Sequence, residues 1–391
     1  MRLWFALSVI FAIADSSAQL SEAERQGVKD ALYVGNLRES DLLFPRRPFS
    51  AKDRIAFIDR AVDDPLATGD ALMRLHSASA RREASGLVAE LIENVFEQQV
   101  GAVQHDPPIR GLEELPPDLR GPILGLVNWL NSTNNAIRRA TERLTPEEKR
   151  SLIESLPVWA VESPSVRFSF ARGRTLEQHE ILSLLAKVDL PAIRTAAVRL
   201  AEATERAIEQ LKAMTSDVDV VVRKKIGGMP VVIAGRGSDE HTDTDALLTI
   251  DLGGDDHYTG RHGAGVGYAG VLIDLGGDDR YDVGDLSVGA AVLGVGLAYD
   301  EGGHDRFNGK SITFGSALAG VGALSKRGGD DEYRSETLTQ GFAAFGAGVL
   351  RDTGGKDFYD ALLFAQGAAR TQGGGWLVDS AGNDTYRAGG L

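Results

Sequence analysis

Hydrophobic positions in this chain follow two different rhythms. From Gln19 to about Met229 apolar residues recur every three or four positions, most regularly over Ala71 to Val100 and Ala192 to Ala213. That spacing lines one face of an amphipathic helix. Helix starts are marked too. Ser21-Glu22-Ala23-Glu24 and Thr175-Leu176-Glu177-Gln178 have the form of capping boxes, and Thr145-Pro146-Glu147-Glu148 puts proline and acids in a first turn. Pro107-Pro108 and Pro116-Pro117 punctuate the region as loops. The pattern predicts an all-α domain of six to eight helices over residues 19–229.

After Pro230 the helical period stops and 35 of the 46 glycines follow between Gly235 and the end. Short alternating runs such as Leu248-Thr249-Ile250 now precede a motif that repeats through the rest of the chain. Its copies are Asp251-Leu-Gly-Gly-Asp-Asp256-His-Tyr258, Asp274-Leu-Gly-Gly-Asp-Asp279-Arg-Tyr281 and Asp300-Glu-Gly-Gly-His-Asp305-Arg-Phe307. Lys326-Arg-Gly-Gly-Asp-Asp331-Glu-Tyr333, Asp352-Thr-Gly-Gly-Lys-Asp357-Phe-Tyr359 and Asp379-Ser-Ala-Gly-Asn-Asp384-Thr-Tyr386 continue it. A degenerate copy, Gly237-Ser238-Asp239-Glu240-His241, comes first, and the second aspartates are spaced by 17, 23, 26, 26, 26 and 27 residues. A recurrence at this period is the mark of a solenoid.

One unit has room for two or three short strands. The apolar run makes the first, Gly-Gly turns a tight corner, and the aromatic residue opens the second. A block of small residues such as Gly289, Gly294 and Gly296 makes a third wall where coils approach closely. The predicted fold is therefore α+β and multidomain: an N-terminal helical domain followed by a C-terminal β-solenoid of about six coils over residues 230–391. The exposed strand edges at a solenoid end need covering, and the helical domain is expected to cover one of them.

Stacked coils put equivalent residues about 4.8 Å apart and so make ladders. Tyr258, Tyr281, Phe307, Tyr333, Tyr359 and Tyr386 form an aromatic one. Asp256, Asp279, Asp305, Asp331, Asp357 and Asp384 form an acidic one, flanked by Asp251, Asp274, Asp300, Asp352 and Asp379. Two carboxylates at that spacing repel by roughly 3–4 kcal/mol at an effective dielectric near 20. Corner backbone amides, protonation and a bound cation are three ways to relieve this. A hard cation held by carboxylates and carbonyls would be Ca²⁺ by ligand preference. Lys326 breaks the outer acidic ladder and is expected to stack between Asp300 and Asp352, so that its coil lacks a full metal site.

The Gly-Gly-x-Asp-x-Tyr copies and Ala381-Gly382-Asn383-Asp384-Thr385-Tyr386 resemble half-motifs of the RTX calcium-binding β-roll. That resemblance implies Ca²⁺ at these aspartates. It covers about eight residues per unit, the third RTX glycine is missing, and the unit is about 26 residues rather than nine. The layout also resembles exported bacterial proteins with Asp-x-Gly-Gly-x-Asp-x-Tyr repeats, a group that implies no particular activity.

Composition and the N-terminus add a location. Met1-Arg2 followed by an apolar run to Ala14 and small residues at Ser16 and Ala18 has the form of a secretory signal peptide, residues 1–18. The run is short for a membrane span, and no later stretch is long and apolar enough for a transmembrane helix. The expected location is periplasmic or secreted. Net charge is −14, and from Gly235 onward 24 acids face 12 bases. Such an acidic domain repels nucleic acid and favours cations.

No residue set names a reaction. His179-Glu180 lacks the second histidine of a zinc-protease helix, since position 183 is Ser, and His76 and His105 stand alone. Asp239, His241, Asp243 and Asp245 would share one side of an extended segment, with His257 and His262 following. The reading is a non-enzymatic exported repeat protein with a binding or structural role at the cell envelope, its partner an envelope protein or glycan. A carbohydrate-active β-helix enzyme remains open, with His304, Lys326, Arg327 and Lys356 as its repeat-breaking side chains. So does an outer-membrane β-barrel, each unit then being a hairpin.

Overall fold

The computed structural model describes residues 22–34, 83–161, 166–218 and 221–389. The signal-like segment 1–18, Ser21, His76 and the first part of the 71–100 stretch lie outside the described residues. The chain divides into two compact units, residues 1–82 with 90–99, and residues 83–89 with 100–391. The first contains helix α1 (Glu22–Val34), and helix α2 (Ala84–Asn94) crosses the boundary in sequence. The second carries the solenoid and the remaining helices.

Helices α3 (Pro117–Ala140), α4 (Pro146–Val161), α5 (Gln178–Leu185) and α6 (Leu190–Lys212) complete the six among the described residues. Thr145 starts α4 as its sequence predicts: its Oγ accepts from Glu148 N at 3.1 Å while Glu148 Oε2 accepts from Thr145 N at 2.9 Å. Two helix starts differ from expectation. Pro117 opens α3 rather than lying in a loop, because proline fits a first turn whose N–H has no partner. The box expected at Thr175 forms two residues later, where Glu177 N donates to Glu180 Oε2 at 2.8 Å.

From Val222 onward the chain is β. Strands β1 (Val222–Ile226) and β2 (Met229–Ile233) form an antiparallel hairpin, and every later pairing is parallel. Sheet A runs β1-β2-β4 (Leu248–Asp251)-β7 (Ala269–Asp274)-β10 (Val295–Asp300)-β13 (Val321–Lys326)-β16 (Ala347–Asp352)-β19 (Gly374–Asp379). Sheet B runs β20 (Thr385–Ala388)-β17 (Phe358–Leu363)-β14 (Glu332–Thr337)-β11 (Arg306–Asn308)-β8 (Arg280–Val283)-β5 (His257–Gly260)-β3 (Glu240–His241). Sheet C runs β18 (Ala369–Arg370)-β15 (Ala343–Ala344)-β12 (Ala317–Leu318)-β9 (Ala291–Val292)-β6 (Gly265–Val266). Strands β4 (Leu248–Asp251), β5 (His257–Gly260) and β6 (Gly265–Val266) make the first of five complete coils. The last complete coil is β16 (Ala347–Asp352), β17 (Phe358–Leu363) and β18 (Ala369–Arg370), followed by β19 (Gly374–Asp379) and β20 (Thr385–Ala388). This is the predicted β-solenoid. Its parallel register, Asp274 beside Asp300 beside Lys326 beside Asp352, excludes the hairpin units of a barrel.

The interior between sheets A and B is filled by the aromatic ladder against Leu272, Ala298, Leu324 and Leu350. From Tyr258 to Tyr386 successive ring centroids lie 4.5–4.8 Å apart, with planes within 9° of parallel. The corners that lead into sheet C are less orthodox. Leu286, Ile312, Leu338 and Phe364 recur at one register and all have φ between 51° and 63°. Such a conformation costs a side-chain-bearing residue about 1–2 kcal/mol. It is held because Leu286, Ile312 and Leu338 enter an apolar cluster with Leu152, Leu156, Ile181 and Leu185 of α4 and α5. Helices α4 and α5 therefore lie along the flank of the solenoid, over sheet C and its corners, rather than over an open end. At the N-terminal end sheet A closes on the β1–β2 hairpin, whose edge strand exposes Arg223, Lys224 and Lys225. Charged edges discourage further strand pairing.

Candidate metal centre

The corner between sheets A and B is built by the repeated motif. Its second glycine has positive φ in each full copy, +106° at Gly303 for example, and a Cβ there would overlap the Gly277 carbonyl oxygen of the coil before. Only glycine lets the corners stack at strand spacing. The same constraint turns the motif aspartates inward. Asp251, Asp274, Asp300 and Asp352 are at most 1% exposed, and Asp256, Asp279, Asp305, Asp331 and Asp357 at most 2%. In the last coil Asp379 and Asp384 are half-buried.

The two aspartates of a copy have different partners. The first is satisfied at both oxygens. Its Oδ1 accepts from the backbone N–H two residues on, as Asp274 does from Gly276 at 2.8 Å. Its Oδ2 accepts a tyrosine hydroxyl from the preceding coil: Tyr258 to Asp274, Tyr281 to Asp300, Tyr333 to Asp352 and Tyr359 to Asp379, at 2.5–3.0 Å. At the start of the column His241 takes the tyrosine's place, its Nε2 lying 2.7 Å from Asp251 Oδ2 and its ring stacked on Tyr258 at 4.5 Å.

The second aspartate is satisfied at one oxygen only. Its Oδ1 accepts from the backbone N–H of the equivalent aspartate one coil earlier, from Asp239 N to Asp256 through Asp357 N to Asp384, at 2.6–3.1 Å. The other oxygen, Oδ2, has no hydrogen-bond partner at Asp256, Asp279, Asp331 and Asp357, while at Asp305 it meets the Lys326 ammonium. Each of these atoms is enclosed and faces other carboxylates.

Together these oxygens make a column of cages. His241, Asp251 and Asp256 form the first; Asp256, Asp274 and Asp279 the second; Asp279, Asp300 and Asp305 the third. Asp331, Asp352 and Asp357 form another, and Asp357, Asp379 and Asp384 the last. Within each, one ligand atom per residue lies within 4.8 Å of the others, a separation that a cation 2.3–2.6 Å from each oxygen can bridge. Burial, with neighbouring carboxylates adding to it, pushes the carboxyls up: Asp256, Asp357 and Asp379 to about 7, Asp331 to about 8 and Asp279 to about 11. Without a counter-charge the column holds protons near neutral pH.

One cage is built differently. Between Asp305 and Asp331 the fully buried Lys326 ammonium lies 2.7 Å from Asp305 Oδ2, 3.3 Å from Asp300 Oδ1 and 3.7 Å from Asp331 Oδ2. It also donates to the carbonyl oxygens of Gly328 and Gly303 at 2.8 and 3.0 Å. Its ion pairs thus include Asp300, as its position in the repeat predicts, but the others are Asp305 and Asp331 instead of Asp352. The side chain turns into the corner rather than along the strand ladder.

Other candidate residues disperse. Of the 239–245 set His241 joins the column by its side chain and Asp239 by its backbone N–H; Asp243 pairs with Arg223 at 3.3 Å, and Asp245 is exposed. His257 lies on the outer face of sheet B between Glu240 and Asp282, and His262 is buried beside Thr259 O at 2.7 Å. Burial lowers His262 to about 4. His179 and His105 are exposed. Among the repeat-breaking residues, His304 and Lys356 are exposed at the outer corner, Lys326 is inside, and Arg327 pairs with Glu301 and Glu83. They converge on no common groove. A cavity of about 160 Å³ lined by Glu83, Glu205, Glu209, Glu301 and Arg327 lies beside β10 (Val295–Asp300). It is smaller than the roughly 300–1,000 Å³ of ordinary ligand clefts.

What the sequence missed was the unshared oxygen. Repetition revealed which aspartates stack, but which of their oxygens finds a donor depends on side-chain rotation at the corner. No family model, curated protein or solved structure matches this chain.

Proposed function

We propose that this is an exported, non-enzymatic repeat protein of the periplasm or cell surface, in which Ca²⁺ stabilises the β-solenoid and the stabilised coils serve a structural or partner-binding role at the envelope. The observation that carries the calcium reading is the row of enclosed Oδ2 atoms at Asp256, Asp279, Asp331 and Asp357, none of which has a hydrogen-bond partner; the matching atom of Asp305 meets a lysine cation instead. A buried carboxylate oxygen without a donor costs about 1–3 kcal/mol or more, and here the cost recurs coil after coil. Beyond the first cage, which includes His241, the donor sets are carboxylate oxygens that suit a hard cation, and Ca²⁺ tolerates the irregular geometry such cages impose. The RTX resemblance points the same way. Export rests on the signal-like residues 1–18, and an envelope protein or glycan is the partner class that such a location offers. Dispersal of the repeat-breaking side chains weighs against the carbohydrate-active reading.

The test is a pair of melts of the mature chain, one in millimolar Ca²⁺ and one in excess EGTA, with elemental analysis of the purified protein. Calcium is expected to raise the melting temperature and to be retained in whole-number stoichiometry. An unchanged melt with no bound metal overturns the reading.

A further inference from the structure

The cage that contains Lys326 differs from its neighbours at two positions, and the two differences belong together. Where the other copies have a first aspartate, this one has Lys326; where tyrosine would donate to that aspartate from the preceding coil, Phe307 stands. We infer that Lys326 is a built-in cation whose ammonium occupies the place of a divalent ion in the other cages, and that Phe307 is its matching change. This rests on the calcium reading of the column.

Three observations support it. The first is the ligand set. Every atom around the Lys326 ammonium is an oxygen: Asp305, Asp331 and Asp300 carboxylates and the Gly303 and Gly328 carbonyls. Each is a motif position that recurs in the other coils, so around Asp274 the corresponding residues are Asp256, Asp279, Asp251, Gly254 and Gly276. Lysine thereby traces which main-chain carbonyls face the cage.

The second is charge. Replacing an aspartate by lysine changes a cage by two positive charges, which is the charge of one divalent ion. A cage with lysine and a cage with aspartate plus a divalent ion therefore reach the same balance. The third is the hydroxyl. An ammonium has three donors and accepts nothing, so a tyrosine O–H aimed at it would have no acceptor. Phenylalanine at 307 removes that donor while keeping the ring in the stack, 4.5 Å from Tyr281 and 4.8 Å from Tyr333.

The experiment moves the pair in both directions and counts ions. Wild-type chain, Lys326→Asp with Phe307→Tyr, and Asp274→Lys with Tyr258→Phe are purified in Ca²⁺, dialysed, and measured by elemental analysis, with circular dichroism to register the fold. The first double variant is expected to hold one more calcium ion per chain than wild type, and the second one fewer. A folded variant with the wild-type count overturns the inference. So does failure of both variants to fold in Ca²⁺, because interchangeable cations must each support the coil. A wild-type chain without bound calcium overturns the underlying reading instead, which keeps the two failures apart.

Discussion

Metal-free protein is expected to lose stability as the pH rises from about 5 to about 8. The Asp279 carboxyl is pushed up to about 11 in the folded chain by burial and by Asp274 and Asp300, whereas it begins from 3.8 when exposed. A carboxyl raised by folding contributes its stability below the unfolded value and loses it as the pH climbs through the folded one. For Asp279 the window therefore opens near pH 4 and spans the whole working range. Within it the folded state holds one proton more than the unfolded state, so stability falls by about 1.4 kcal/mol per pH unit. Over three units that is about 4 kcal/mol from one side chain, against a total of about 5–15 kcal/mol for a typical domain. At about 2 °C per kcal/mol for a large domain, Asp279 alone predicts a drop of about 8 °C. Asp256, Asp357 and Asp379, raised to about 7, steepen the slope below neutrality and then level off. Thermal melts in EGTA at about pH 5, 6, 7 and 8, repeated in millimolar Ca²⁺, measure this. A metal-free melting temperature that stays level or rises over that range refutes the raised carboxyls. A fall of equal size in Ca²⁺ refutes the replacement of protons by the cation.

Single substitutions probe the other supports. Tyr333→Phe removes the donor to Asp352 Oδ2, 2.6 Å away in a fully buried setting, and should cost about 1–3 kcal/mol by denaturant unfolding. Gly303→Ala places a Cβ against the Gly277 carbonyl oxygen and should abolish folding, read as loss of soluble protein and of its β circular dichroism. Leu156→Ala leaves a hole where α4 packs on the coil corners and should destabilise by about 2–5 kcal/mol, with faster proteolysis of the α4–α5 segment.

Much of this architecture was legible without coordinates because repetition is self-referential. The Asp-x-Gly-Gly-x-Asp-x-Tyr copies set the period, and a fixed period forces equivalent residues into register, so the aromatic stack and the acidic column followed from counting. The helix start at Thr145 was readable for a local reason, since a cap depends on residues within one turn. Less local features escaped. The left-handed corners at Leu286, Ile312 and Leu338 have no glycine to announce them, and they persist only because α4 and α5 cover them. Where the helices pack could not be read from helical periodicity, which says that a face is apolar but not which surface it meets.

The sequence by itself determined the coil, its period, the identity of the aromatic and acidic ladders and the position of the one lysine that interrupts them. These depend on backbone stereochemistry and on spacing along the chain. Tertiary structure alone decided where the charge goes. It gave one oxygen of each second aspartate a backbone donor and left the other enclosed, and it turned Lys326 into the corner between Asp305 and Asp331. That choice belongs to side-chain rotation under burial, because a buried charge settles wherever oxygen atoms from several coils converge, and such convergence exists only once the coils have stacked.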